Sequence, residues 1–502
     1  MNDTDHTIVR NGLLLDPETE RAEVRDVLIA GDCIAEIGPP GLAAPQSARE
    51  IDAADMLVIP GLINAHTHGH GSLGKGMGDR WTLELLLNAG PWISGQRTLE
   101  DKYLAAHLNG VEMALKGCTA AYDMYFEFPV PTAEGMNAVA QGYADAGVRV
   151  VLAPMMADLS LYDAIPGLLD HLPEALRREA EKFRLRPYEE SITAARTFLH
   201  DWRHDPDNAR PALAPTIPLH CSDPFLAGCR DLVSEFGVSV QMHLAESRTQ
   251  AVSAMRRYGR TLTAHMDELG LLGPGFVGGH CIWVDDDDLK RLADNGSSIS
   301  HNPGSNLKLG TGIAPVRRML DAGVPVGVGT DGTNSSDSQN MFDAIRFAAY
   351  VSRVNTFDYQ GWISAAEALR MATTGSARVL GMSDRIGRLA PGYKADMVML
   401  DLGNVNYIPF NNPLHQIVAC EDSSAVQTVM VGGEIIVDGG HHTRVELFAL
   451  RSDIENAMDR LRAATADQQR LAKALEDLVG GYCVGLACSD YHVHRTVQLA
   501  SQ

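Results

Sequence analysis

The stretch Leu57-Val58-Ile59-Pro60-Gly61-Leu62-Ile63-Asn64-Ala65-His66-Thr67-His68 places two histidines at the end of a nearly unbroken apolar run. Side chains of a strand alternate between its faces, so His66 and His68, two apart, point the same way. Two imidazoles side by side at a strand end can grip one zinc-like ion. Taken alone, this spacing fits two surface histidines equally well. Its weight comes from what the rest of the chain does in the same way.

Four more segments repeat the pattern. His243 ends the run Val238-Ser239-Val240-Gln241-Met242, and Glu246 follows three residues on. His280 ends Phe276-Val277-Gly278-Gly279, His301 ends Ser297-Ser298-Ile299-Ser300, and Asp331 follows Val326-Gly327-Val328-Gly329-Thr330. Each puts one ligand-capable side chain at the C-terminal end of a short apolar strand. Strands are expected over 57–64, 119–124, 149–155, 212–216, 238–244, 276–280, 297–301 and 326–331, with helical spacing between them at 99–116, 249–269 and 286–295. This alternation is the arithmetic of an α/β (β/α)8 barrel, whose strand C-termini converge on one face. Five such coincidences in register point to one shared site.

The two ends of the chain have a different texture. Short apolar runs punctuated by Gly, Asp and Pro occur at 7–15, 27–30 and 34–37, and again at 396–402, 426–431 and 434–437. They predict one small β domain assembled from both termini. The expected partition is 1–56 and 386–443 for that domain, 57–385 for the barrel, and 444–502 for a closing helix and tail. Residues 166–208 read as a helical insertion. Asp285 to Asp288 reads as a helix cap, where the dipole favours negative charge. The tail beyond Gly480 carries Cys and His at spacings that match no metal pattern.

Composition sets outer bounds. Apolar residues are 45% and charged residues 21% of 502, so a large core is available and disorder is not expected. Lys+Arg total 42 against 64 Asp+Glu, a net charge of −22 that builds no basic stripe for nucleic acid or an anionic membrane. The eight cysteines are scattered without a CxxC pair, which reads as reduced thiols. The acidic opening 1–5 shows no secretory leader, and no apolar run approaches the ~20 residues of a membrane helix. The expectation is a soluble, cytoplasmic protein.

The order HxH, HxxE, a further His, HNPxSNxKLxxGxAP and GTDG resembles the amidohydrolase superfamily, in the branch of cytosine deaminase, S-adenosylhomocysteine deaminase and triazine hydrolase. The segment 301–315 (HNPGSNLKLGTGIAP) is its most specific part, and the similarity runs to about residue 440. The resemblance implies a distorted (β/α)8 TIM barrel with a small β-sandwich built from both termini. It implies one divalent metal, usually Zn²⁺ and sometimes Fe²⁺. It assigns His66, His68, His243 and Asp331 as ligands, Glu246 as proton shuttle and His280 as a neighbour of the metal. It also implies a homo-oligomer, dimer or tetramer. His301, Asn306, Trp81 and Trp92 are candidate substrate contacts, the tryptophans being equally readable as core. No lysine stands at a strand ligand position, which argues against the two-metal carbamylated-lysine arrangement.

The chemistry of these residues is consistent with that resemblance. A bound divalent ion lowers the pKa of water to about 7. Asp331 can accept a proton, Glu246 can deliver one to a ring nitrogen, and His280 can orient the attacking oxygen. The expected reaction is hydrolytic deamination of an amino-substituted N-heteroaromatic ring such as a pyrimidine, purine, pterin or triazine, which releases ammonia or an amine. The runner-up is a triazine-type dechlorinating hydrolase or an amidase on the same scaffold. Residues 334–341 resemble triazine hydrolases, but Gly332 after Asp331 and the presence of His301 depart from the chlorohydrolase type and favour C–N cleavage. The resemblance also places an acid for nucleosides in the loop near 85–94, where this chain has none and Glu84 is nearest. A metal-free interaction protein is a third reading, and the retention of every ligand position counts against it.

Overall fold

The computed structural model describes residues 6–496, so the opening 1–5 read for a leader lies outside the described residues. Eight parallel strands follow one another: Leu62–Thr67, Cys118–Phe126, Arg149–Met156, Ala214–Pro215, Val240–Leu244, Phe276–His280, Ser298–His301 and Val326–Val328. The first four pair as one arc and the last four as another. A parallel bridge between Leu213 and Val240 joins the arcs on one side. On the other, the Asp331 amide donates to the His66 carbonyl at 2.9 Å. The arcs therefore close into a distorted (β/α)8 barrel, as the alternation predicts.

The period of two along each strand divides its residues between two cores. Ile63, Ala65, Tyr122, Met124, Val151 and Ala153 gather in one cluster. Their neighbours Leu62, Ala121, Tyr125, Val150 and Leu152 join the larger one, with helix residues such as Met136, Val139 and Leu226. The helices start at well-marked caps. Thr98 and Asp101 form a capping box at Leu99–Leu115, and Asp285 and Asp288 form another at Asp286–Asp294, which accounts for the acidic run.

Strands from the two ends of the chain share one nine-stranded sheet. His6–Asp16, Arg21–Ala30, Cys33–Gly38 and Arg49–Asp52 come from the start, and Met397–Asp401, Val426–Val431, Glu434–Asp438 and His441–His442 from the far end. Met56–Pro60 sits between the two sets, antiparallel to Met397–Asp401. Val9, Val27, Ile29, Ile34, Val58, Met397 and Met430 form a core of their own. Among the described residues no helix is long and apolar enough to cross a membrane.

Three elements differ from the sequence expectation. The strand expected over 57–64 is two strands, Met56–Pro60 in the terminal sheet and Leu62–Thr67 in the barrel. Gly61 is the pivot: its amide donates to Asp396 O while the next amide, of Leu62, donates to Gly117 O. A Cβ there would lie 2.3 Å from Thr119 Oγ1, so only glycine fits. The helix expected near 249–269 is broken at Gly259, which adopts φ +67°. The closing helix is also two, Leu447–Ala464 and Ala466–Ala487, meeting at Thr465. Hydrophobic spacing continues through both breaks, so periodicity alone cannot locate them. The insertion is helical at Leu168–His171, Glu174–Ala180 and Tyr188–Asp201.

One buried ion pair ties the barrel to the terminal sheet. Arg149 Nε and Nη2 donate to the Asp396 carboxylate at 2.9 and 3.1 Å, with side chains only 4% and 2% exposed. Asp396 also accepts from the Gly432 amide at 2.6 Å. Removing one partner strands a buried charge, so Arg149→Met is expected to cost about 3–5 kcal/mol of stability. Denaturant unfolding would show this, with Arg149→Met/Asp396→Leu recovering part of the loss. An unchanged midpoint in the single variant would refute it.

Candidate functional site

The structure brings His66, His68, His243, Glu246, His280 and Asp331 together where the barrel strands end. Ligand-capable atoms lie within 4.8 Å of one another in each of three groups: His66 with His68 and Asp331, His66 with His243 and His280, and Glu246 with His280 and Asp331. All six residues are buried.

The imidazoles are oriented from behind. His66 Nδ1 pairs with Gln241 Oε1 at 2.7 Å, His68 Nδ1 with the Met124 carbonyl at 2.6 Å, and His243 Nδ1 with the Thr216 carbonyl at 2.7 Å. Each partner is an acceptor, so each Nδ1 carries the proton and each Nε2 a lone pair. His68 Nε2 and His243 Nε2 then face each other at 3.1 Å. Asp331 Oδ1 lies 3.2 Å from His68 Nε2 and 3.6 Å from His66 Nε2. The His66 Nε2 atom is buried and has no hydrogen-bond partner. Converging lone pairs and a carboxylate oxygen repel one another unless a cation lies between them, so this donor set fits a divalent ion.

Electrostatics favours the same state. Burial pushes His68 and His280 down to about 4 and His243 well below its ordinary value, which keeps them neutral. For Asp331 burial works upward, but the imidazoles around it, His66 first and then His68 and His280, outweigh it and hold the carboxyl well below the usual range. Glu246 is the opposite case. Burial, then Asp331 and Glu84, raise it well above its ordinary value.

Glu246 and His280 stand beside this set. His280 Nδ1 donates to Asn306 Oδ1 at 2.8 Å, while its Nε2 is buried without a partner, 3.8 Å from Asp331 Oδ2. Glu246 Oε2 is also buried without a partner. His68, His243, Glu246 and Asp331 line a cavity of about 450 Å³ whose remaining wall is largely apolar, including Leu86, Leu87, Phe126, Phe128, Tyr162 and Ile217. Among the described residues Glu246 and Asp331 are the only acids lining it.

The other sequence candidates are placed elsewhere. Asn306 supports His280 from behind. His301 is 1% exposed and both its ring nitrogens lack partners. Trp81 and Trp92 pack edge to face at 6.1 Å, with Lys473 Nζ 5.9 Å from the Trp92 ring. None of these four lines the cavity. Two histidines without an assigned role do line it, His70 and His220. His70 Nδ1 accepts the Phe126 amide at 3.0 Å, which leaves the proton on Nε2. The spacing His66-Thr67-His68-Gly69-His70 was the available signal. The strand ends at Thr67 and His70 falls in a 3-10 turn, outside the strand alternation.

Comparison with known proteins agrees with this geometry. A family model described as the Amidohydrolase family matches residues 57–436. The chain is similar to a 5-methylthioadenosine/S-adenosylhomocysteine deaminase of Syntrophobacter fumaroxidans, 33% identical over 90% of this chain and 95% of that protein. It is similar to a 5'-deoxyadenosine deaminase of Methanopyrus kandleri, 34% identical over 76% of this chain and 82% of that one. Among solved structures it resembles an adenosine deaminase from Xanthomonas campestris with bound zinc, at a TM-score of 0.81 and 25% identity, covering 92% and 99% of the two chains.

Gln241 touches no candidate reacting atom but fixes the His66 ring. Gln241→Ala is therefore expected to weaken zinc affinity by about 10–100-fold. Competition with a chromophoric chelator would measure it, and an unchanged affinity would remove the orienting role.

Proposed function

The chain belongs to the amidohydrolase family, and from that premise we propose that it is a zinc-dependent hydrolytic deaminase of an adenine ring whose substituent ends in an apolar group, as in a 5'-deoxy or 5'-thioether adenosine. The observation that carries the reading is Glu246, a buried carboxyl with an unpaired oxygen, set beside the histidine and aspartate donors where they meet an apolar cavity. The relatives' names supply the adenine ring. The wall, largely apolar apart from Lys182, Arg184 and a few polar side chains, supplies the apolar end, and among the described residues it offers no third carboxylate.

His66, His68, His243 and Asp331 would hold the ion, and when bound it supplies Lewis-acid activation of water near neutral pH. Every other step belongs to side chains. Asp331 takes a proton from the attacking water. His280, its Nδ1–H committed to Asn306, presents a lone pair that orients that water. Glu246, protonated in its buried setting, gives its proton to the ring nitrogen next to the amino-bearing carbon. The C–O bond forms, the proton held by Asp331 passes to the amino group, the C–N bond breaks to release neutral ammonia, and the remaining hydroxyl proton returns to Glu246 as the ring C=O forms. His70 lines the cavity, and its Nε2–H would serve as a donor for a substrate heteroatom. All eight cysteines are free, which supports a reducing, cytoplasmic setting.

The test is ammonia release across 5'-methylthioadenosine, 5'-deoxyadenosine, adenosine, adenine and amino- and chlorotriazines, with chloride measured alongside. The 5'-modified adenosines are expected to release ammonia fastest. Glu246→Gln should keep zinc and lose about 10²–10⁴-fold in kcat. Chloride release without ammonia, or loss of zinc in that variant, would overturn the proposal.

A further inference from the structure

Three residues in the two loops that carry Glu246 and His280 hold a left-handed backbone that side-chain-bearing residues rarely adopt: Ala245 at φ +48°, His280 at +66° and Cys281 at +47°. Such conformations persist only where the surroundings over-determine them. Part of that determination is mutual. The Ile282 and Trp283 amides both donate to Ala245 O, at 3.1 and 2.9 Å, and the Cys281 amide donates to Leu244 O at 3.0 Å. The loop after His280 is thereby bound to the residue that precedes Glu246.

The rest comes from a segment more than 200 residues away. Three consecutive carbonyls of this loop are taken from outside by 491–495. Ile282 O accepts from Arg495 Nε at 2.9 Å, Trp283 O from the Tyr491 hydroxyl at 3.1 Å, and Val284 O from Arg495 Nη2 at 2.6 Å. The same segment reaches the loop after Asn306. Arg495 O accepts the Ile313 amide at 2.7 Å. A Cβ on Gly312 would meet that oxygen at 2.8 Å, so this approach requires glycine. The loop at 310–313 is joined in turn to both sides, since Thr311 O accepts from Trp283 Nε1 at 2.7 Å and the Thr311 amide donates to Asn306 O at 3.0 Å. Ser489 O accepts from Arg248 Nη2 at 3.1 Å, two residues past Glu246.

We infer that Tyr491 and Arg495 are positioning residues for deamination: they brace the loops that follow His280 and Asn306, and through Ala245 the one that bears Glu246, in the geometry the reaction needs. The inference rests on the acid–base reading of Glu246 and His280 above. The brace lies beyond residue 436, where the family match ends. It touches none of the four metal-binding candidates, so its loss is felt in turnover rather than in metal content.

The experiment compares full-length Tyr491→Phe, Arg495→Ala and Arg495→Lys with wild type and Glu246→Gln, all zinc-loaded. Arg495→Ala is expected to lower kcat by about 10–100-fold with KM and zinc content unchanged. Arg495→Lys should recover part of it. Tyr491→Phe, which deletes one hydroxyl and keeps the ring, should show a smaller loss of the same kind and serves if Arg495→Ala fails to fold. Hydrogen exchange at the amides of Cys281, Ile282 and Trp283 should quicken by about tenfold in the braceless variants. An inactive Glu246→Gln beside variants with wild-type kcat and unchanged exchange would overturn the brace alone. Loss of zinc in step with activity would also overturn it. An active Glu246→Gln would overturn the reading of the site on which the brace depends.

Discussion

The site depends on a repulsion. His68 and His243 are 175 residues apart, yet the fold presses their Nε2 atoms to 3.1 Å, with both lone pairs facing inward and a carboxylate oxygen alongside. Left alone, such groups would separate or take up a proton. Here they are held by hydrogen bonds from behind, to the Met124 and Thr216 carbonyls, and by burial that keeps the rings neutral. The barrel acts as a frame that holds these donors where a divalent cation would join them.

That frame explains why the surrounding packing is arranged as it is. Asp331 reaches the cluster because its own amide is tied to the His66 carbonyl, the bond that also helps to close the barrel. Its backbone is left-handed at φ +63°, and its carboxylate accepts the Gly332 amide at 2.6 Å. Glycines at 327 and 329 give the same strand room: a Cβ at Gly329 would lie 2.8 Å from His66 N. Closure, ligand placement and the shortness of this last strand are thus one solution to one steric problem.

Much of the site was legible because metal chemistry restricts residue types. Only a few side chains can ligate zinc, and a strand end fixes which way they point. The same argument failed for groups whose role lies in hydrogen bonding. Gln241 reads in sequence as an ordinary polar residue of a strand. Asn306 reads as a substrate contact, yet its carbonyl oxygen holds His280. The apolar wall drawn from 83–96, 126–129 and 155–162 carries no motif, because any residues of suitable size and polarity can make it. Gly61 was visible, but its function as the point where the chain leaves one sheet for the other depends on Thr119 and Asp396, neither near it in sequence.

The sequence by itself determined the α/β barrel, the shared sheet of the two termini, and the identity of the histidine and carboxylate cluster. Those properties follow from local periodicity and from which side chains have the required chemistry. Tertiary structure alone decided which nitrogen of each imidazole faces inward, where long helical patterns break, how the cavity is walled, and that a remote arginine and tyrosine secure the loop after His280. The physical reason is range. Strand alternation and ligand type act within a few residues, whereas tautomers, cavity walls and braces are set by atoms that meet only after the chain has closed on itself.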